Sequence, residues 1–378
     1  MYQSLLEHYN RSHEEYLKEY NRRIHSYSSV KLPFLIKADS GEELLEAFYV
    51  NHAALDLLHD QIIHRSQIIK RLYKELPAPA FKAYSSTKLI EEVLGTLALA
   101  GVPSSPADIL ESIEQLEGYR VKPNRAGYFE IVQAYYQALD AKVYDIEEAV
   151  DVLIAIYHKF NFRHSALEHE RDPGYTSRIM AYLNDYPAPV LYKIAVIHFF
   201  MSHSSSDRQG NDFVSRYFSS LHLIHELDSL TGIALSATMY KNKASYQESY
   251  VICGDARNHG ELTFFCEMFF NMIYIAQQEL LIDLKTKQKK LWKLQELLNQ
   301  IEDEDGRAVT YILGQHYIYS AQGGGLPLKE LTILLGKTAY FVRKASEDLL
   351  HTGWIEYVKR KPLELILTRE MRGLLDEN

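Results

Sequence analysis

The stretch "IHFFMSHSSSDRQGNDFVSR", residues 197 to 216, decides how the chain is read. Its lead-in is apolar and helix-like. Gly210-Asn211 is a pair suited to turning backbone amides toward an anion, and Arg216 follows as a cation. Phosphate chemistry at such a place calls for a proton acceptor and a metal-binding carboxylate. The chain instead puts Ser204-Ser205-Ser206 and Gln209 between the lead-in and the arginine.

Outward from this stretch the helical period dominates. "AFYVNHAALDLLHDQIIHRSQIIKRLYKEL" and "IVQAYYQALDA" carry apolar residues at three- and four-residue intervals with charges between them. Alternating strand patterns are nearly absent until "WIEYVKRKPLELILT" (354–368), which reads as two short strands around a Lys-Arg-Lys-Pro turn. The breaks at "LPAPA", "GVPSSPAD", "RDPGY", "YPAP" and "QGGGLP" punctuate the chain, and the last is the most linker-like. The expected fold is mainly α: a helical bundle followed by a small α+β module. The expected organisation is an N-terminal helical region over 1–115, a core over 116–280, a connecting helix over 281–305 and a C-terminal module over 306–378.

Composition narrows the function classes. The chain has 378 residues, 47% apolar and 24% charged, which suits packed globular cores. A net charge of −9 argues against wholesale binding to nucleic acid or anionic membrane. Cys253 and Cys266 are the only cysteines, too few for a disulfide framework, so a reducing cytoplasm is the expected setting. The N-terminus lacks the apolar core of a signal peptide, and "TFFCEMFFNMIYIA" is short and carries Glu267 and Asn271, so no membrane span is expected.

The C-terminal module has clear local grammar. "LPLKELTILLGKTAYFVRKASEDLLHTGWIEYVKRKPLELILT" reads as helix, turn at Leu335-Gly336-Lys337, helix and hairpin, with Thr338 placed to cap the second helix. Phe341, Val342, Ala345, Leu349 and Leu350 are expected to face a core, and Tyr340, Arg343 and Lys344 to face outward. This pattern resembles a winged helix-turn-helix, with Lys359, Arg360 and Lys361 at the tip of the wing. Docked on DNA, the helix would enter the major groove and the wing would meet phosphates. The plainer reading is a winged helix used for protein contacts.

The helical body resembles the Fic family, whose members usually transfer AMP from ATP to a hydroxyl of a target protein. "APVLYKIAVIHFF" is similar to the helix entering the family motif and "SRYFSSLHL" to the helix leaving it. "LSATMYKNKASYQESYVICGDARNHGELTFFCEMFFNMI" is similar to the closing helices, "KLIEEVLGTLALAGVPSSPADI" to the autoinhibitory segment and "LEAFYVNHAALDLL" to the N-terminal portion. The family pattern is His-Pro-Phe-x-(Asp/Glu)-Gly-Asn-Gly-Arg-x-x-Arg. Aligned without a gap on Gly210-Asn211 and Arg216, it puts Ser205 in the place of the catalytic histidine and Ser206-Asp207 in that of Pro-Phe. Gln209 then replaces the magnesium-holding acid, Asp212 the second glycine and Phe213 the first arginine.

Each replacement has a chemical consequence. Serine cannot take a proton near neutral pH as histidine does. Uncharged Gln209 is a poor partner for Mg²⁺. Phe213 removes a cation that would balance phosphate, and Asp212 adds an anion where phosphates would sit. The expectation is a pseudoenzyme that needs no cofactor and acts by binding an unidentified protein, DNA or a second copy of itself. The alternative is an active nucleotidyltransferase using ATP and Mg²⁺, with a longer loop bringing His203 and Asp207 into the vacant roles.

A second segment points the same way. Family members with an N-terminal inhibitory helix carry Ser/Thr-x-x-x-Glu-Gly, whose glutamate pairs with the second arginine of the motif. "TLALAG" matches with Thr96 and Gly101, but Ala100 replaces the glutamate. Arg216 is therefore expected to lack a carboxylate and to bind a free anion or solvent. The plainer reading of "LGTLALAG" is a small-residue helix packed in the core. His164 and Glu168 lie one helical turn apart but have no third ligand, so no metal site is expected. Leu284, Leu291 and Leu298, with Leu294 and Ile301, form a short heptad seam, interrupted by Lys287, that could pair with another chain or pack within its own domain. The 28 tyrosines sit mostly at helical spacing and are assigned to packing. No Walker-type loop, GxSxG elbow or zinc-finger spacing occurs.

Overall fold

The structure is a computed structural model, which describes residues 2–39, 43–118, 128–140, 175–203, 208–320 and 324–377. Ser205, Asp207, His164 and Glu168 lie outside the described residues. The molecule is mainly helical with two small antiparallel sheets. It divides into two units, one formed by Met1–Ile68 with Leu89–Gln278, the other by Ile69–Lys88 with Glu279–Asn378. The helices Ala53–Lys74, Ala78–Leu99 and Thr263–Leu298 each contribute to both units. Ile69–Lys88, a stretch the sequence places in the N-terminal region, thus clusters with the C-terminal unit.

In the first unit, helices Leu5–Arg11 and His13–Ile24 are capped by Ser4 and Ser12, whose hydroxyls accept from the amides of Glu7 and Glu15. They lead into a hairpin of β1 (Ser29–Lys37) and β2 (Leu44–Val50), paired antiparallel from Ser29↔Val50 to Lys37↔Leu44. This hairpin corrects the expectation that strand patterns are nearly absent before residue 354. Leu32, Phe34 and Ile36 are buried and alternate with exposed Lys31, Pro33, Leu35 and Lys37, the period of a half-buried strand. Pro33 falls where the pairing register shifts, a place that tolerates a residue without an N–H.

The middle of this unit is built on the helix Val190–His203, in which every residue from Ile194 to Ser202 is buried. It packs against the helix Arg208–Glu226. A helix that is apolar on all sides belongs in the centre of a bundle, and this one occupies it. The helix Ala78–Leu99 ends in a Schellman motif. Gly101 takes φ +70, its amide donates to Ala98 O at 3.1 Å, and the Val102 amide donates to Leu97 O at 2.9 Å. Gly101 is therefore a helix stop. Gly95 is required for a different reason: a Cβ there would lie 2.6 Å from the backbone of Ala237. The small-residue packing reading of "LGTLALAG" accounts for Gly95, and helix termination accounts for Gly101.

In the second unit the helix Glu304–Tyr319 packs on the α+β module, and the C-terminal half of the helix Thr263–Leu298 reaches the chain's last residues through Lys290–Asp376 and Lys293–Glu377. Leu284, Leu291, Leu294, Leu298 and Ile301 are buried, and Leu294 lies over Gly314, so the heptad seam is consumed within its own unit. The module runs through β3 (Leu326–Pro327), helix Leu328–Leu335, helix Ala339–His351, β4 (Ile355–Arg360) and β5 (Leu363–Leu367), with strand order β3-β5-β4. Gly336 adopts φ +63 and the Thr338 hydroxyl accepts from the Phe341 amide at 3.3 Å. Val342, Ala345 and Leu349 are buried. Phe341 and Leu350 are only half-buried, contrary to expectation, and the Lys337 ammonium sits 4.9 Å from the Phe341 ring centroid.

Candidate functional site

Arg216 is the centre of the site and is fully buried. Its Nε donates to Thr96 Oγ1 at 3.0 Å, one terminal nitrogen donates to Thr96 O at 3.1 Å, and the other pairs with Asp212. This overturns the expectation that Arg216 is left to a free anion. Residues 208 to 226 form a continuous helix, so Asp212 and Arg216 lie one turn apart on the same face. The carboxylate missing at Ala100 is supplied from within the arginine's own helix. Burial works hardest against the guanidinium charge, but Asp212 and Tyr246 together outweigh it and raise the arginine's pKa above its ordinary value.

Asp212 is itself held by a polar chain. Tyr246 donates to Asp212 Oδ1, and the Ser202 hydroxyl donates to the same oxygen at 3.4 Å. Ser202 also shares a 2.6 Å hydrogen bond with Ser215. His198 contacts Tyr246 Oη through Nε2 at 2.8 Å and Ser219 Oγ through Nδ1 at 2.7 Å. Burial lowers the His198 pKa to about 3, with the nearby Asp212 opposing, so the ring is neutral. Because the tyrosine proton is given to a carboxylate, Nε2 must carry the histidine proton and Nδ1 must accept from Ser219. The chain Ser219–His198–Tyr246–Asp212–Arg216–Thr96 is thus polar, closed and internally directed.

One turn away on the helix Ala78–Leu99, Glu92 makes a second closed contact. Fully buried, it accepts from Tyr135 Oη at 3.2 Å, Ser220 Oγ at 2.9 Å, the Ser236 amide at 2.7 Å and the Ala237 amide at 3.3 Å. The last two donors are first-turn amides of the helix Leu235–Lys241, which has no side-chain cap of its own. Burial raises the Glu92 pKa while these donors oppose the rise. Sequence reading missed Glu92, although an acid inside the apolar run "LIEEVLGTLALA" is the signal that marks it. Tyr246 and Tyr250 were missed among so many tyrosines.

A cavity of about 510 Å³ opens beside the pair, with Leu99 and Val251 as apolar lining and Ser202, Asp212, Tyr246 and Tyr250 as polar lining. Arg216 is not among its lining residues, and neither is His203. The imidazole of His203 stacks on Phe199 at 4.9 Å and its Nε2 contacts Lys37 O at 2.9 Å. Phe213 is buried in the core, Thr96 holds Arg216, and Ala100 is buried at the helix end. Gln209, Gly210 and Asn211 belong to the opening turn of the helix that starts at Arg208, not to a loop ahead of it. Cys253 and Cys266 are buried, and burial raises both thiols well above their ordinary values.

The residues named for DNA contact are separate from this site. Tyr340, Arg343, Lys344, Lys359, Arg360 and Lys361 are all exposed. Lys359 and Arg360 belong to β4, leaving Lys361-Pro362 as the turn. Lys359 lies 3.3 Å from Glu364, and Arg360 lies 5.8 Å from the Tyr357 ring centroid. Among the described residues no cluster of His, Cys, Asp and Glu could hold a metal ion, and no helix is long and apolar enough to cross a membrane.

No protein-family model matches the sequence, and no curated protein matches it. Among solved structures, the protein is similar to the crystal structure of a Fic family protein from Desulfovibrio desulfuricans G20. The two share 13% sequence identity with a TM-score of 0.50, over 85% of this chain and 98% of that one. At that identity the likeness concerns the backbone: the chain has a Fic-like helical fold extended by a small α+β module.

Proposed function

We propose that this protein is a catalytically silent member of the Fic group that works in a bacterial cytoplasm by binding. One observation carries the reading. Arg216, the surviving cation of the motif, is fully buried and committed to Asp212 and Thr96. A phosphate would have to displace a carboxylate that neighbours the arginine covalently along one helix turn. It would also meet no free cation at position 213, which holds a buried phenylalanine. Ser205 and Gln209 supply neither a base nor a metal ligand. The test is incubation with labelled ATP and Mg²⁺, alongside calorimetric titration of ATP. No label transfer and no saturable heat are expected. Robust transfer lost on His203→Ala would overturn the reading in favour of an adenylyltransferase.

A second element of function rests on the C-terminal module, taken as a winged helix-turn-helix that docks duplex DNA. Its support is the placement of charge. The second unit holds 20 Lys and Arg against 16 Asp and Glu, whereas the first holds 21 against 34, so the acidity of the chain lies wholly in the first unit. The exposed cations of the helix Ala339–His351 and of the hairpin are thus not opposed by their own unit's net charge. Retention of a mixed duplex at low salt, weakened by Arg343→Ala with Lys344→Ala, is expected. No retention even at low salt would remove DNA from the function.

A further inference from the structure

The helix Thr263–Leu298 carries two populations of lysine. Lys287 donates to Ile318 O at 2.6 Å, Lys290 pairs with Asp376 at 2.7 Å, and Lys293 donates to Glu377 O at 3.0 Å. Lys285 and Lys289 are exposed and have no hydrogen bond or ion pair among the described residues. At about 100° per residue, Ile282, Lys285, Lys289, Trp292 and Glu296 share a sector of about 80°. All five are exposed, and the two large apolar residues are 61% (Ile282) and 55% (Trp292) accessible. The opposite side of the helix holds the buried Leu284, Leu291, Leu294 and Leu298. An outer face therefore presents apolar anchors roughly 15 Å apart, with unmatched positive charge between them.

The matching negative charge lies on the same unit. Glu302, Asp303, Glu304 and Asp305 come after the turn at 299–301 and are all exposed; Asp303 also caps the next helix at the Gly306 amide, and Glu304 lies 3.7 Å from Arg307. The segment is thus basic toward its start and acidic at its end. A second copy laid antiparallel brings each basic part against the other's acidic run. A parallel copy would set lysine against lysine.

We infer that this face docks a second copy of the chain, antiparallel, about a two-fold axis that meets the outer face between Trp292 and Glu296, at the level of residue 294. Trp292 and its counterpart then pack at the centre. Lys285 and Lys289, roughly 8 to 14 Å from the axis along the helix, face the acidic run of the other copy. The contact is small and charge-guided, so association falls as salt rises. The inference stands independently of whether the motif is catalytic and of whether the module meets DNA.

Sedimentation velocity of the full chain, from low to high micromolar concentration at low and high salt, tests it. A salt-weakened monomer–dimer equilibrium is expected. Trp292→Ser should weaken it about tenfold or more, as loss of a central aromatic anchor does. Lys285→Glu with Lys289→Glu should weaken it similarly, and adding Glu302→Lys and Asp305→Lys should restore it. Every substitution is at an exposed position, and circular dichroism confirms that the fold is kept. A monomer at all concentrations overturns the inference, including in favour of an acidic foreign partner. So does a dimer indifferent to Trp292→Ser, or one that the four charge exchanges fail to restore.

Discussion

Asp212→Asn separates charge neutralisation from mere shape. The substitution keeps an oxygen for Tyr246 but leaves the Arg216 guanidinium, fully buried, without a counter-charge. With the charge centres about 4 Å apart and an effective dielectric near 20, the attraction lost is about 4 kcal/mol before solvation adjusts. Asp212 retains 22% exposure, so solvent recovers part of this, and a net loss of about 3 kcal/mol is expected. Arg216→Met should cost a similar amount, because it strands the carboxylate and vacates both bonds to Thr96. The double variant removes both charges and should lose little more than either single one, a coupling of about 2 to 3 kcal/mol. Urea unfolding followed by circular dichroism on the four proteins supplies the cycle. Additive losses, with coupling below about 0.5 kcal/mol, would refute the claim that the two groups neutralise each other.

Three further outcomes follow from the same interior. Gly95→Ala drives a methyl to 2.6 Å from the Ala237 backbone, so it should cost about 3 kcal/mol or prevent folding, as urea curves would show. Glu92→Gln turns an amide toward the hydroxyl and amide donors that the carboxylate accepts, and about 2 kcal/mol should be lost in the same assay. Acid should destabilise the fold through His198 and His222, both lowered to about 3 mainly by burial. A depressed histidine contributes fully above its ordinary value near 6.5, and the contribution is lost as pH falls toward the folded value. At pH 5 that is about 2 kcal/mol for each. A urea midpoint flat between pH 7 and pH 5 would contradict it.

Much of the helical body and of the C-terminal module was legible, because long amphipathic periods and turn chemistry act locally. The strands Ser29–Lys37 and Leu44–Val50 were not: Pro33 disfavours a strand, the exposed Leu35 blurs the alternation, and "AFYVNHAALDLL" continues without a break into a helix that begins only at Ala53. At the site, the losses at positions 205, 209, 212 and 213 were readable as letters. The partner of Arg216 was overlooked although it lies four residues away. Treating Gly210 to Phe213 as loop hid the one-turn relation that the helix Arg208–Glu226 imposes. Glu92 is different in kind. Its donors lie between 43 and 145 residues away, and no local pattern announces them.

Glu92 and Thr96 on one helix meet Ser220 and Arg216 on another, each pair one turn apart and running in opposite directions. Such a double latch fixes the register between the two helices. A slide of one turn, about 5.4 Å, would break the Glu92–Ser220 and Arg216–Thr96 hydrogen bonds in the same movement. The latch therefore opposes ratcheting of these two helices past each other.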